Sequence, residues 1–172
     1  MEQKNRFLIE EQDDDLETRY LTFWTDRRLF GLPIGQVVQI VGLQAITELP
    51  EHPAYVKGII SLRGQIIPVI DMRLRFSLPE APYNDRTCII ITHVGGNDFG
   101  LIVDEVDEVT DIPPTQIAPP PKLNGEKEND YLTGIAQLKA DHTQRERVAL
   151  LLQTARILGD EVLTDLALAT QD

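Results

Sequence analysis

The chain cannot close an internal disulfide, because Cys88 is the only cysteine among 172 residues, and this agrees with a reducing compartment. Cys88 lies in the β-branched run Thr87-Cys88-Ile89-Ile90-Ile91-Thr92 with no His or Lys beside it. It reads as a small buried hydrophobe rather than a reactive thiol. Long apolar runs are also missing: segments such as 88–92 and 149–152 fall far short of the ~20 residues a membrane helix requires. The first 17 residues are polar and acidic, where a signal peptide would carry an apolar region. A soluble, cytoplasmic protein is expected.

Positive charge is scarce. Sixteen Lys and Arg face 28 Asp and Glu, for a net charge of −12. Phosphate contacts dominate nucleic-acid affinity, so DNA and RNA are poor partners for such a surface. Glu2, Glu10, Glu11, Asp13, Asp14, Asp15 and Glu17 make the N-terminus an acidic tail, offset only by Lys4 and Arg6. Residues 1–18 are expected to be disordered.

Catalytic patterns are absent too. His52, His93 and His142 stand far apart, and none has a metal-ligand spacing to another His or to Cys88. There is no phosphate-binding G-x-x-x-x-G-K-[ST] and no G-x-S-x-G elbow. Asp104, Glu105, Asp107 and Glu108 cluster but lack the glycine and spacing of a calcium loop, so they read as solvated or as a hairpin end. An enzyme is not indicated, and no cofactor or metal is expected.

What the sequence does contain is strands. Arg19-Tyr20-Leu21-Thr22-Phe23-Trp24 alternates, turns at Asp26-Arg27-Arg28, and returns as Leu29-Phe30-Gly31-Leu32-Pro33. Thr87–Thr92 turns at His93-Val94-Gly95-Gly96-Asn97 and returns as Phe99-Gly100-Leu101-Ile102-Val103. Both returns carry Phe-Gly-Leu. A second echo is Gly-Ile-x-x-Leu, at Gly58–Leu62 and at Gly134–Leu138, each followed by an apolar strand (65–72 and 147–152). Two echoes in one order suggest an internal duplication, with convergent β patterning as the other reading.

The expected fold is therefore all-β: two small five-stranded barrels, about 19–80 and about 81–159, with some strand exchange possible. Pro79–Asp85 reads as the linker between them. Short helical turns should connect strands, one over Ile34, Val37, Val38 and Val41 at helical spacing. Residues 160–172 should form a C-terminal helix and tail, with Asp160 as N-cap. Pro68, mid-strand, should mark an edge or a bulge. Asp71, Arg73 and Arg75 alternate as a solvated strand face.

With no catalytic set, recognition remains. Two joined barrels create a groove. Val37, Val38 and Ile40 from one half, with Val103 and Val106 from the other, either close the core between barrels or form a partner-facing patch. Arg63 either clamps its turn or pairs with an acidic partner group.

The segment Val56-Lys57-Gly58-Ile59-Ile60-Ser61-Leu62-Arg63-Gly64-Gln65-Ile66-Ile67-Pro68-Val69-Ile70-Asp71-Met72-Arg73 resembles the signature V-K-G-x-x-N-L-R-G-x-I-I-P-V-I-D-L-R of the CheW family of chemotaxis coupling proteins. In the same order, Phe30–Ile34, Gly100–Asp104, Ile117–Pro121 and Leu132–Ile135 resemble further family motifs, so the similarity spans about 19–159. The resemblance implies two five-stranded SH3-like barrels without catalysis. It implies two partners: the hairpin tip of a chemoreceptor of the methyl-accepting type, and the regulatory domain of a CheA-type histidine kinase. It also implies residence in the cytoplasm at membrane-associated receptor arrays. Carried over by motif, Val37, Val38, Arg63, Val103 and Val106 would serve the receptor; Gly58, Ile59 and Gly64 would serve the kinase. Gln39 and Arg63 would form a structural clamp. Ser61 stands where the family usually has Asn, and Gln39 where it usually has Glu, which removes a charge from the clamp. An adaptor for a chemosensory-like pathway controlling twitching or another output is the alternative, with a small-ligand-binding barrel a more distant one.

Overall fold

The computed structural model describes residues 17–121, 131–138 and 146–158. The expected acidic tail to residue 16 and the expected helix over 160–169 lie outside the described residues. The strands are β1 (Arg19–Thr25), β2 (Arg28–Pro33), β3 (Val37–Gly42), β4 (Val56–Leu62), β5 (Gln65–Asp71), β6 (Cys88–Val94), β7 (Asn97–Val103), β8 (Glu105–Asp111), β9 (Ile117–Ala118), β10 (Leu132–Leu138) and β11 (Arg147–Leu152). Helix is confined, among the described residues, to two short 3-10 turns and the brief segments Met72–Arg75 and Thr154–Leu158. The all-β expectation holds.

Tight hairpins are built by two-residue turns with positive φ at both positions. Asp26-Arg27 (49° and 63°), Arg63-Gly64 (51° and 83°) and Gly95-Gly96 (60° and 81°) all have this geometry. It matches the right-handed twist of the flanking strands. Only the last uses glycine at both places.

Two sheets result. The first has the order β8-β1-β2-β11-β10-β9 and the second β3-β6-β7-β5-β4. The expected division near residue 80 does not follow the sheets. The second sheet is continuous in sequence from β3 to β7, while the first joins β1 and β2 to β8–β11. Each repeat lends its opening hairpin to the other repeat's sheet. The seams are parallel, β2 on β11 with Gly31 opposite Leu151, and β5 on β7 with Val69 opposite Gly100. These are the glycines of the two Phe-Gly-Leu echoes. A Cβ on Gly31 would lie 2.9 Å from Leu151, and one on Gly100 would lie 2.8 Å from both Ile89 and Val69. Strand exchange is thus extensive, because the parallel seams need two hairpins from different halves.

Three apolar cores follow. Leu29, Ile112, Ala136, Leu138, Ala149 and Leu151 fill the first sheet's interior. Ile60, Ile67, Val69, Ile89, Ile91 and Ile102 fill the second's. The largest lies between the sheets and draws Phe23, Phe30 and Leu152 from one, with Ile70, Ile90, Phe99 and Val103 from the other. Burying each large apolar side chain contributes about 1.5–3 kcal/mol, so the sheets are held together as strongly as they are built.

Two local expectations are corrected. The 3.6-residue spacing at Ile34–Val41 gives only a 3-10 turn at Ile34–Gln36 before strand β3. Val37, Val38, Ile40 and Val41 are β-branched, and pleated pairing with β6 wins. Pro68 is neither on an edge strand nor the bulged residue. It sits in interior strand β5 opposite Ile59, whose N–H and C=O bond Thr47 at 2.8 and 2.9 Å. Pro68 therefore turns its missing donor away from β4, toward a side where pairing with β7 starts only at Val69.

Candidate functional site

Edge strand β3 presents an apolar outer face. Its burial alternates, so that Val37, Gln39 and Val41 turn inward while Val38 and Ile40 turn out. Val38 is 51% exposed, Ile40 41%, and Leu43 just beyond the strand 41%. Half-exposed apolar side chains in a row on an edge that no described strand pairs are a surface that another chain can cover.

The five expected receptor residues fall in three places. Val103 is 1% exposed and belongs to the core between the sheets. It leaves almost no surface there for another chain to touch. Val37 and Val106 are half-buried and pack against the same core from its rim. They occupy matching positions of the two repeats, Val37 opposite Thr92 and Val106 opposite Phe23. Val38 stands on the outer face of β3. Arg63 is exposed at the β4–β5 turn with φ 51°.

The expected clamp does not form: among the described residues, no hydrogen bond or ion pair joins Arg63 to Gln39. Their strands, β4 and β3, lie at opposite ends of the sheet order.

Of the three expected kinase residues, Gly58 and Ile59 are held by the segment around Thr47. Gly58 is buried with φ 146°, and a Cβ there would meet the Thr47 carbonyl oxygen at 2.1 Å. Ile59 is half-buried and bridges to Thr47. Gly64, with φ 83° and open space around it, shares the exposed turn with Arg63. Beside this end of the second sheet, a groove of about 330 Å³ opens between Gln65–Ile67 and Gly96–Asp98, with Ile66 50% exposed.

Charged groups read as solvated turn out to be tied down. Asp71 is 2% exposed. It caps the helical turn by accepting from the Leu74 amide (3.2 Å) and also accepts from the Tyr83 hydroxyl (2.7 Å). Burial and this bond push the Tyr83 phenol well above its usual range. Arg73 donates to both carboxylate oxygens of Asp104 through Nε (2.9 and 3.1 Å) and again through Nη2 (2.6 Å). That hydrogen bonding raises its pKa further. Arg75 donates to the Ile157 carbonyl (2.6 Å) and lies over the rings of Tyr55 and Tyr131. Of the acidic cluster, Asp107 and Glu108 accept from Arg147 at 3.1 and 3.0 Å. The signal for this was Asp71 as an N-cap ahead of Met-Arg-Leu-Arg, masked by the strand alternation leading into it.

No group of three or more His, Cys, Asp or Glu among the described residues is placed to hold a metal. No described helix is long and apolar enough to cross a membrane.

Comparison with known proteins agrees with the geometry. The model of the CheW-like domain matches residues 19–162. The chain is 30% identical over 142 residues to the chemotaxis protein CheW of Klebsiella aerogenes, covering 83% of this chain and 82% of that one. It is 30% identical over 145 residues to protein FrzA of Myxococcus xanthus, covering 81% and 88%. The crystal structure of the scaffolding protein TtCheW from Thermoanaerobacter tengcongensis superimposes with a TM-score of 0.73 at 32% identity, covering 85% of this chain and 90% of that one. With the double sheet, the exchanged hairpins and the signature motif all in place, this chain belongs to the family of CheW-like domains.

Proposed function

We propose that this protein is a non-catalytic coupling adaptor that holds a chemoreceptor's cytoplasmic tip and a CheA-type histidine kinase at the same time. The observation that carries the reading is the free edge of β3, where Val38, Ile40 and Leu43 expose an apolar stripe beside the rim residue Val37. An amphipathic helical hairpin buries its apolar face on such a stripe, with i, i+3 and i+4 side chains as anchors. Val106 completes the rim from the other repeat, and Arg63 supplies a cation at the end of the same sheet. The β4–β5 end, with Ile59 and Gly64, serves the kinase, and Gly58 supports it by letting the Thr47 segment approach.

Tagged protein incubated with the cognate kinase and a receptor cytoplasmic fragment tests the proposal. The parental chain is expected to capture both. Val38→Asp combined with Ile40→Asp is expected to lose the receptor and keep the kinase while melting as the parent does. A folded parental chain that captures neither partner sinks the reading. The identity to FrzA equals that to the Klebsiella CheW, and the second reading is an adaptor for a chemosensory-like pathway with another output. Exchanging kinase and receptor pairs in the same capture separates the two.

A further inference from the structure

The two places where the chain crosses between sheets are not alike. From β2 to β3 it passes through the 3-10 turn Ile34–Gln36, held by a neutral contact: the Gln36 side-chain oxygen accepts from the amide and hydroxyl of Thr154 at 3.1 and 2.9 Å. From β7 to β8 it passes through a single residue, Asp104. In both crossings the bond runs to the short helix that follows the repeat's last strand, Thr154–Leu158 or Met72–Arg75. Only the second is charged.

Asp104 is gripped from all sides. Its amide donates to the Trp24 carbonyl (3.0 Å), and its carboxylate accepts from the Asp26 amide (2.8 Å) as well as from Arg73. Arg73 also reaches the Asp26 carboxylate at 3.4 Å and the Pro79 carbonyl at 3.2 Å. Asp26 and Arg27 are both non-glycine residues at positive φ, so their turn needs such outside support. Arg73 rises from the second sheet; Asp26 closes a hairpin of the first. A rigid, forked guanidinium bridging the two fixes an angle in a way that a point charge does not.

We infer that Arg73 is a positioning residue for receptor binding: by clamping Asp104 and the Asp26-Arg27 turn, it fixes the angle between the sheets and hence sets Val106 of the first sheet against Val37 and the β3 stripe of the second, the two parts of the receptor face. This rests on the adaptor reading, but its first test does not use partners. Spin labels at Ile66→Cys on the second sheet and Val109→Cys on the first, both half-exposed positions, are placed in a Cys88→Ser background. The parental protein gives one narrow distance distribution. Arg73→Met broadens it, Arg73→Lys broadens it less, and protection of the Asp26 and Arg27 amides from exchange falls in both. In capture experiments, affinity for the kinase, whose face lies on the second sheet alone, stays within about twofold, while capture of the receptor fragment falls about fivefold or more.

A Met or Lys variant whose distribution superimposes on the parent's overturns the inference. So does a broadened distribution with undiminished receptor capture. If Arg73→Met does not fold, Arg73→Lys and Asp104→Asn carry the same two readouts. A parental chain that binds neither partner would defeat the adaptor reading, while the distance measurement still judges the clamp.

Discussion

Replacing Gly58 by alanine should unfold one edge of the second sheet, although it adds only a methyl group. A Cβ at that position stands 2.1 Å from the Thr47 carbonyl oxygen, 2.8 Å from its carbon and 3.1 Å from the Glu48 Cα. All three are backbone atoms, so no rotamer change relieves the clash. At φ 146° the side chain is also strained whatever the space, which costs about 1–3 kcal/mol. Relief requires the Thr47 segment to move away, forfeiting its two bonds to Ile59 at about 0.5–1.5 kcal/mol each. The total is about 2–6 kcal/mol, or a fall in Tm on the order of 10 °C for a chain of this size. Thermal unfolding followed by circular dichroism measures it, with two internal standards. Gly64→Ala, at φ 83° in open space, should cost about 1 kcal/mol. Gly134→Ala matches Gly58 in the other repeat but meets the Ile117 methyl at 2.6 Å, a side chain that can shift, and should cost about 1–2 kcal/mol. If Gly58→Ala melts no lower than Gly64→Ala, the close-approach reasoning is wrong. If the order holds, any loss of kinase capture at Gly58 comes through the fold and not through a lost contact.

Two further outcomes are expected. Val103→Ala should lower stability by about 1–3 kcal/mol in a urea melt, whereas Val38→Ala should leave it within about 0.5 kcal/mol; equal effects would contradict the burial difference. Stability should also fall at alkaline pH. Tyr83 is held neutral in the fold above its unfolded pKa of about 10, so the unfolded chain releases its proton first and the stabilisation is intact below that pH. Above it, stability declines by about 1.4 kcal/mol per pH unit, and Tyr83→Phe should flatten the decline in melts between pH 9 and 11.

The local elements were legible because short-range chemistry makes them. Alternating residues around Asp26-Arg27 and a Gly-Gly turn predicted β1–β2 and β6–β7, and the run 147–152 matches β11. Sheet membership was not legible. The Phe-Gly-Leu echoes revealed two similar hairpins, but nothing local says that β2 pairs with β11, about 120 residues away, rather than with its own repeat. The site divided along the same line. Val38 and Val103 read alike, as core between the barrels or as partner patch; only the alternation of β3 turns the first outward, while the second ends a strand in the shared core. Asp71 and Arg73 kept a period of two that fits a strand, and only the capping bond to Leu74 reveals the helical turn.

The exchange of hairpins sets a timetable for synthesis. β1 and β2 leave the ribosome before the other described strands, yet the strand that flanks β2 on its far side is made about 120 residues later. The second sheet, continuous from β3 to β7, can assemble early; the opening hairpin must wait with one edge open until β11 arrives. A nascent chain stalled before β11 therefore carries a finished sheet beside an orphaned one, with Phe23, Phe30 and Leu32 lacking part of their cover. Chaperones and proteases that sense exposed apolar surface meet this protein in that interval, and loss of β11 is felt at β2.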